Sequence, residues 1–328
     1  MERYTRRECL EALASAAVVS AVGSRVIGAA KVLRGAFMIL HTPFTESKEV
    51  DWEDLAREAV FVDRCGTQGI VWPQGTSSVT SLSKDERMRG MEVLANAVKG
   101  RQVALILGVQ GKDIPEMLEY TRRAEALAPD ALIAMPPTAA QSEADYREYF
   151  RALGKATSRP VFLQTSGGAR NIIPSTELIV DLAKELPNFG YVKEESDPVV
   201  ERMKTLVRQR PPMKGVFGAS LGVGWLYEMR LGLDGVITGN AMYADVMAAM
   251  WDLHQKNRED QLRDAFSKWL LMRNLNDQIP GTDLYVMKKR GIFKTVATRG
   301  RQYTFSTEEV AEIDYRFSGL APYLKRGV

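Results

Sequence analysis

Lys193 ends the short apolar run Gly190-Tyr191-Val192 and is followed directly by two acids, Glu194 and Glu195. An ammonium in such a run is costly to bury unless paired, and burial drives its pKa down towards that of a nucleophilic amine. Lowering a lysine from ~10.4 to about 7–8 makes imine formation with a carbonyl feasible at neutral pH. The same residue has a structural reading, as a buried cation neutralised by Glu194, Glu195 or Asp197, because buried ion pairs also perturb pKa values. Residue type and position alone leave both readings open.

Few other chemistries are on offer. The two cysteines, Cys9 and Cys65, and the two histidines, His41 and His254, lack metal-ligand spacing or a paired framework. Disulfide, zinc and other metal sites are therefore not expected. Forty-four basic side chains against 41 acidic ones give a net charge of +3, too balanced for the basic stripe that nucleic-acid binding requires.

A reactive lysine needs elements that hold it in place. From residue 35 onward, short apolar runs alternate with longer segments of helical period, the pattern of repeated βα units. Eight runs read as strands, at 37–44, 69–75, 103–110, 131–137, 161–166, 191–195, 216–220 and 236–239. Each is nearly continuous in apolar residues, as strands covered on both faces should be. Right-handed crossovers of this number and length close most simply into an α/β fold of the (β/α)₈ TIM-barrel type. Ser83 with Glu86, Ser142 with Asp145 and Ser306 with Glu309 predict helix N-termini, because serine oxygen and acid can each satisfy a free backbone N–H. Beyond residue 240 the strand signal stops, and 244–257, 259–276 and 306–319 read as helices. The barrel is accordingly assigned to 31–243, and its last helix with a C-terminal helical extension to 244–328. A doubly wound open sheet would want a glycine-rich phosphate turn after the first strand, where Thr42-Pro43-Phe44 stands.

Residues 1–30 read differently. Thr5-Arg6-Arg7 precedes the small apolar run 12–23 and then Gly28-Ala29-Ala30, the order of a twin-arginine-type export signal. The apolar run is too short for a stable membrane span of ~20 residues. An exported, periplasmic protein is predicted. The alternative is a cytoplasmic enzyme with an amphipathic N-terminal helix.

Barrel enzymes carry their reacting groups at the C-terminal ends of strands. Those ends here include His41-Thr42-Pro43, Gln74-Gly75-Thr76-Ser77-Ser78, Gln164-Thr165-Ser166, Lys193-Glu194-Glu195, Gly218-Ala219-Ser220 and Thr238-Gly239-Asn240. Lys193 is the one basic amine among the eight ends.

Several of these stretches resemble one known family. Gly75-Thr76-Ser77 leading to Leu82-Ser83-Lys84-Asp85-Glu86-Arg87, the early Thr42-Pro43-Phe44, the strand Tyr191-Val192-Lys193-Glu194, and Gly218 twenty-five residues past the lysine are similar to the dihydrodipicolinate synthase and N-acetylneuraminate lyase family. The resemblance covers about residues 35 to 325. It implies a class I lyase, an aldolase or dehydratase, in which Lys193 forms a Schiff base with pyruvate or a related 2-oxo acid or sugar acid. It places Thr76 and Ser77 on the keto acid's carboxylate, to which hydroxyls and backbone N–H groups both donate, and makes Gly218 room for that acid. It further implies no cofactor, and self-association into dimers or tetramers.

The chain departs from the family at three places. Ser78 and Val79 stand where glycine and glutamate are usual, Pro137 and Thr138 replace a tyrosine pair, and Gln164 and Thr165 replace the tyrosine and asparagine that end strand five. Glutamine cannot relay a proton as tyrosine does. His41, Glu195, or a water held by Gln164 and Thr165 are the substitutes on offer. Arg170 can grip a second carboxylate with two parallel hydrogen bonds. These departures keep open a different class, a catalytically weakened barrel that binds a keto or sugar acid without turnover. A third reading, a phosphosugar isomerase, would use Gly218, Ser220, Gly239 and Asn240 as a phosphate site.

Overall fold

The computed structural model describes residues 31–327; the expected export signal at 1–30 lies outside the described residues. Eight parallel strands form the interior: β1 (Gly35–Ile39), β2 (Gly69–Trp72), β3 (Ala104–Gly108), β4 (Ala131–Ala134), β5 (Val161–Gln164), β6 (Tyr191–Lys193), β7 (Gly215–Gly218) and β8 (Gly235–Thr238). They pair in chain order and close, β8 against β1, with Phe37 opposite Ile237. The crossovers carry α1 (Trp52–Cys65), α2 (Lys84–Ala97), α3 (Ile114–Leu127), α4 (Glu143–Ala156), α5 (Thr176–Glu185), α6 (Val199–Arg208) and α7 (Trp225–Arg230). After β8, α8 (Ala244–Gln255) is followed by α9 (Glu259–Arg273), α10 (Leu275–Gln278), α11 (Thr282–Lys289) and α12 (Thr307–Ser318). This is the expected (β/α)₈ barrel with C-terminal helices.

Alternation along each strand divides its side chains between barrel interior and helix layer. Inside, Phe217 meets Phe37 and Phe162 with ring centroids 5.2 Å away in each case, edge to face. Tilted aromatic contacts of this kind add about 0.5–1.5 kcal/mol per pair beyond the burial itself. Outside, Met38, Ile70, Trp72 and Leu105 are buried against the helices. The seam between β1 and β8 requires Gly235, because a Cβ there would come within 2.0 Å of the Gly35 carbonyl oxygen.

All three serine capping boxes form; in α2, Glu86 N–H donates to Ser83 Oγ at 3.1 Å and Ser83 N–H to Glu86 Oε2 at 2.8 Å. The predicted strands overshoot. Leu40, Phe44 and Val109 lie beyond strand ends yet are buried, so apolarity continues where the ladder has stopped. Helix α11 escaped sequence reading because Pro280-Gly281 interrupts the helical period just before it, Gly281 turning the chain at φ +93°. Among the described residues no helix is long and apolar enough to cross a membrane.

Candidate active site

Phe162 faces the barrel interior, so Gln164 and Ser166 continue that face of β5; Tyr191 packs against the same interior, so Lys193 and Glu195 continue that face of β6. Register places Gln164 directly beside Lys193. The four polar side chains make one chain of contacts. Lys193 Nζ donates to Glu195 Oε1 at 2.7 Å, Ser166 Oγ donates to the same oxygen, and Gln164 Nε2 donates to Ser166 Oγ at 3.0 Å. Gln164 Oε1 is buried and receives no donor among the described residues.

Lys193 is 4% exposed. Burial lowers its pKa from the ordinary lysine value, while the charge and hydrogen bond of Glu195 oppose the shift; burial prevails. The arrangement can therefore hold a proton between an amine and a carboxylate at the C-terminal end of β6.

Thr165 and Glu194 point the other way. Thr165 Oγ1 donates to Glu194 Oε1 at 2.8 Å and accepts from Glu195 N–H at 3.1 Å. Glu194 Oε1 also takes Ser196 N–H at 2.9 Å, and its second oxygen pairs with Arg202 of α6 at 3.0 Å. Of the three acids proposed to neutralise Lys193, Glu195 is the one that meets its amine, and the Thr165 hydroxyl serves the outer layer.

The remaining predicted residues separate. Ser77 is fully buried, its Oγ donating to the Leu40 carbonyl at 2.6 Å and accepting from Gln74 N–H at 3.0 Å, so it ties the ends of β1 and β2 together. Thr76 is half-buried with its side chain against Gly239, at the end of β8. Gly218 faces outward: a Cβ there would lie 1.8 Å from Glu228 Oε2, so its open side is filled by that carboxyl rather than left for a keto acid. Glu228 is 5% exposed, and burial pushes its pKa up to about 7. His41 gives its backbone N–H and Nδ1 to Glu58 Oε1, at 3.0 and 3.3 Å. Burial lowers its pKa, but Glu58, and behind it Asp283, raise it further, to a net upward shift. Arg170 is exposed in the loop after β5. Asn240 spends its Nδ2 on Leu221 O and Thr238 Oγ1, both at 2.7 Å, and so is not free to hold a phosphate. Among the described residues, no three His, Cys, Asp or Glu side chains cluster to hold a metal ion.

Ser166 was not singled out from the sequence, whereas Glu195 was, both as one of three acids near Lys193 and as one of three substitutes for the missing proton relay. The available signal was period two: each lies two residues beyond an inward-facing Gln164 or Lys193.

Comparison with known proteins fixes the wider relationship. Residues 32–278 match the model of the dihydrodipicolinate synthetase family. The chain belongs to that family, whose members are lyases and aldolases. A 4-hydroxy-tetrahydrodipicolinate synthase of Chlorobaculum parvum is 27% identical over 267 residues, covering 80% of this chain and 89% of the relative. An L-2-keto-3-deoxyarabonate dehydratase of Azospirillum brasilense is 22% identical over 273 residues, 81% of this chain and 87% of that one. Among solved structures, a dihydrodipicolinate synthase from Rhodopseudomonas palustris aligns with TM-score 0.77 at 21% identity, covering 88% of this chain and 97% of its own. A putative dihydrodipicolinate synthetase from Pseudomonas aeruginosa gives 0.79 at 20%, covering 88% and 100%. The family relationship thus spans a synthase and a dehydratase, and the reaction has to be argued from the site.

Proposed function

We propose that this family member is a class I lyase, an aldolase or dehydratase, forming an imine between Lys193 and pyruvate or a related 2-oxo acid or sugar acid. The Lys193–Glu195 pair carries the reading: an enclosed amine with a partly exposed carboxylate 2.7 Å away, just past the C-terminal end of β6. Burial favours the neutral amine, and Glu195 takes the proton that Nζ gives up. Nζ then attacks the keto carbon, and the carbinolamine hydroxyl leaves as water with a proton returned from Glu195. The iminium that remains can accept the electron pair released when a neighbouring bond breaks. Glu195 in this scheme replaces the tyrosine whose position Gln164 occupies, with Ser166 orienting the carboxylate. The unpartnered Gln164 Oε1 accepts from a substrate hydroxyl, and the free Thr76 hydroxyl donates to the keto acid's carboxylate. This chemistry requires neither metal nor organic cofactor.

Borohydride trapping with a panel of 2-oxo acids, read by peptide mass, tests the first step. An adduct on the peptide carrying Lys193 is expected; no adduct with any acid overturns the reading. The lack of a tyrosine at Gln164 favours one alternative, a barrel that binds without turnover, which an adduct unaccompanied by product would support. Together with the twin-arginine-type N-terminus, the reading extends to an exported enzyme of catabolic or scavenging role.

A further inference from the structure

Arg202 of α6 stands outside the reaction site, yet it grips the backbone on both sides of it. One nitrogen of its guanidinium pairs with Glu194 Oε2 at 3.0 Å and donates to the Pro174 carbonyl at 2.7 Å. Glu194 is the chain neighbour of Glu195, and Pro174 lies at the far end of the loop that Ser166 opens, just before α5. Glu195 and Ser166 are the two residues that meet over the amine: Ser166 Oγ and Lys193 Nζ donate to the same oxygen of Glu195.

The arginine is required by the burial of its partner. Glu194 is 0% exposed, and its Oε1 takes Thr165 Oγ1 at 2.8 Å and Ser196 N–H at 2.9 Å. Two neutral donors do not compensate a buried negative charge, which needs a cation or a proton. Arg202 is the one cation within salt-bridge distance of Glu194 among the described residues. Strand β6 ends at Lys193, so the opposite directions of the Glu194 and Glu195 side chains rest on contacts beyond the ladder. Thr165 links the two, since the hydroxyl that donates to Glu194 also accepts Glu195 N–H at 3.1 Å. The outer seat of Glu194 and the inner seat of Glu195 are therefore set together.

We infer that Arg202 is a positioning residue for the proton-handling carboxylate: through Glu194 and the Ser166 loop it keeps Glu195 on the Lys193 amine, without touching the reacting atoms itself. The inference rests on the imine reading of that pair. Glu195 is the charged group that opposes the lowering of the Lys193 pKa by burial. Without Arg202, Glu194 turns towards water and carries the 194–195 backbone with it. Glu195 then leaves the amine, the neutral amine is populated at lower pH, and the carbinolamine lacks its proton donor.

Rapid-quench borohydride trapping of pyruvate by the full-length protein, followed across the pH range, tests this. Arg202→Met keeps the stem and removes the charge. Its acid limb should move to lower pH, in the direction of Glu195→Gln. Its plateau should fall about 10- to 100-fold, up to the lower end of the ~10²–10⁴ contributed by a positioned acid or base, because Glu195 is displaced rather than removed. Arg202→Lys, which leaves Glu194 a cation, should restore the limb and most of the plateau. Added to Glu195→Gln, Arg202→Met should change neither further, since residues acting through one another are non-additive. A folded Arg202→Met with the wild-type limb and a plateau within twofold overturns the inference. So does a loss that adds in full to that of Glu195→Gln, the mark of a merely structural arginine, and so does a lysine variant as impaired as the methionine one. If Arg202→Met does not fold, Thr165→Val, which cuts the link between Glu194 and Glu195, should move the limb in the same direction; an unmoved limb overturns the inference. Should the wild type give no adduct, the imine reading fails, and ¹⁵N NMR of protein labelled at its lysine amines decides the clasp alone. A Lys193 amine that titrates at lower pH in Arg202→Met than in wild type supports it, and an unmoved midpoint overturns it.

Discussion

Replacing Glu195 by glutamine keeps the size of the side chain and removes the charge that faces Lys193 Nζ at 2.7 Å. Breaking a buried ion pair by removing one partner costs roughly 3–5 kcal/mol. The Lys193 side chain is 5% exposed and that of Glu195 18%, so water screens part of the loss and the lower end, about 3 kcal/mol, is the better guide. That cost falls on the charged amine alone, which makes the neutral amine the more populated form at a lower pH than in the wild type. The acid limb of the imine-forming rate therefore moves to lower pH. Glutamine cannot return a proton to the carbinolamine hydroxyl, so the plateau falls by about 10²–10⁴, the usual contribution of a positioned acid or base. Rapid-quench borohydride trapping with pyruvate across the pH range reads both effects. A Glu195→Gln profile with the wild-type limb and a plateau within twofold refutes the assignment, and leaves Glu195 a structural partner of the lysine.

Glu228 binds a proton in the folded protein that the unfolded chain has lost between the ordinary carboxylate value of 4.5 and about 7. Stability from this group is thus full below 4.5 and lost as pH rises through 7, by up to about 3 kcal/mol at 1.36 kcal/mol per unit. Glu228→Gln should accordingly gain up to that much over wild type at alkaline pH and nothing in acid, as urea unfolding at the two pH values will show. Ser77→Ala breaks the buried bonds to Leu40 O and Gln74 N and should cost about 1–3 kcal/mol, lowering the melting temperature more than it alters pyruvate trapping. Light scattering should give a multiple of the 36.6 kDa chain mass; a monomer contradicts the expected self-association. Residues 1–30 fused to a reporter should carry it to the periplasm, and replacing Arg6 and Arg7 by lysine should retain it; a reporter that stays in the cytoplasm with both arginines present removes the export reading.

The barrel was legible because its strands are covered on both faces and its crossover helices announce themselves. Val161 to Leu163 and Gly215 to Phe217 are buried in full, so each reads as a near-continuous apolar run between turn signals. The serine capping boxes mark helix starts through local contacts that no distant residue can override. The site is only half legible for a related reason. Residue type alone exposes Lys193, but choosing between Glu194 and Glu195 needs period-two alternation to persist past the last laddered residue of β6. It does persist, because Thr165 and Arg202 hold Glu194 on the outer side and so turn Glu195 inward. That lock joins three elements and is invisible in any one stretch of sequence. The same limit applies at Gly218, whose neighbour Glu228 belongs to a helix, and at His41, whose cleft is completed by Asp283 from the far end of the chain. A motif can therefore be right about where a glycine or serine stands and silent about what fills the space beside it. The proton-handling group gives the sharpest instance. With tyrosine lost at position 164 the sequence offers His41, Glu195 or a bound water in its place, and of the two side chains the fold brings Glu195 within hydrogen-bond distance of the amine, with Ser166 linking it back to Gln164.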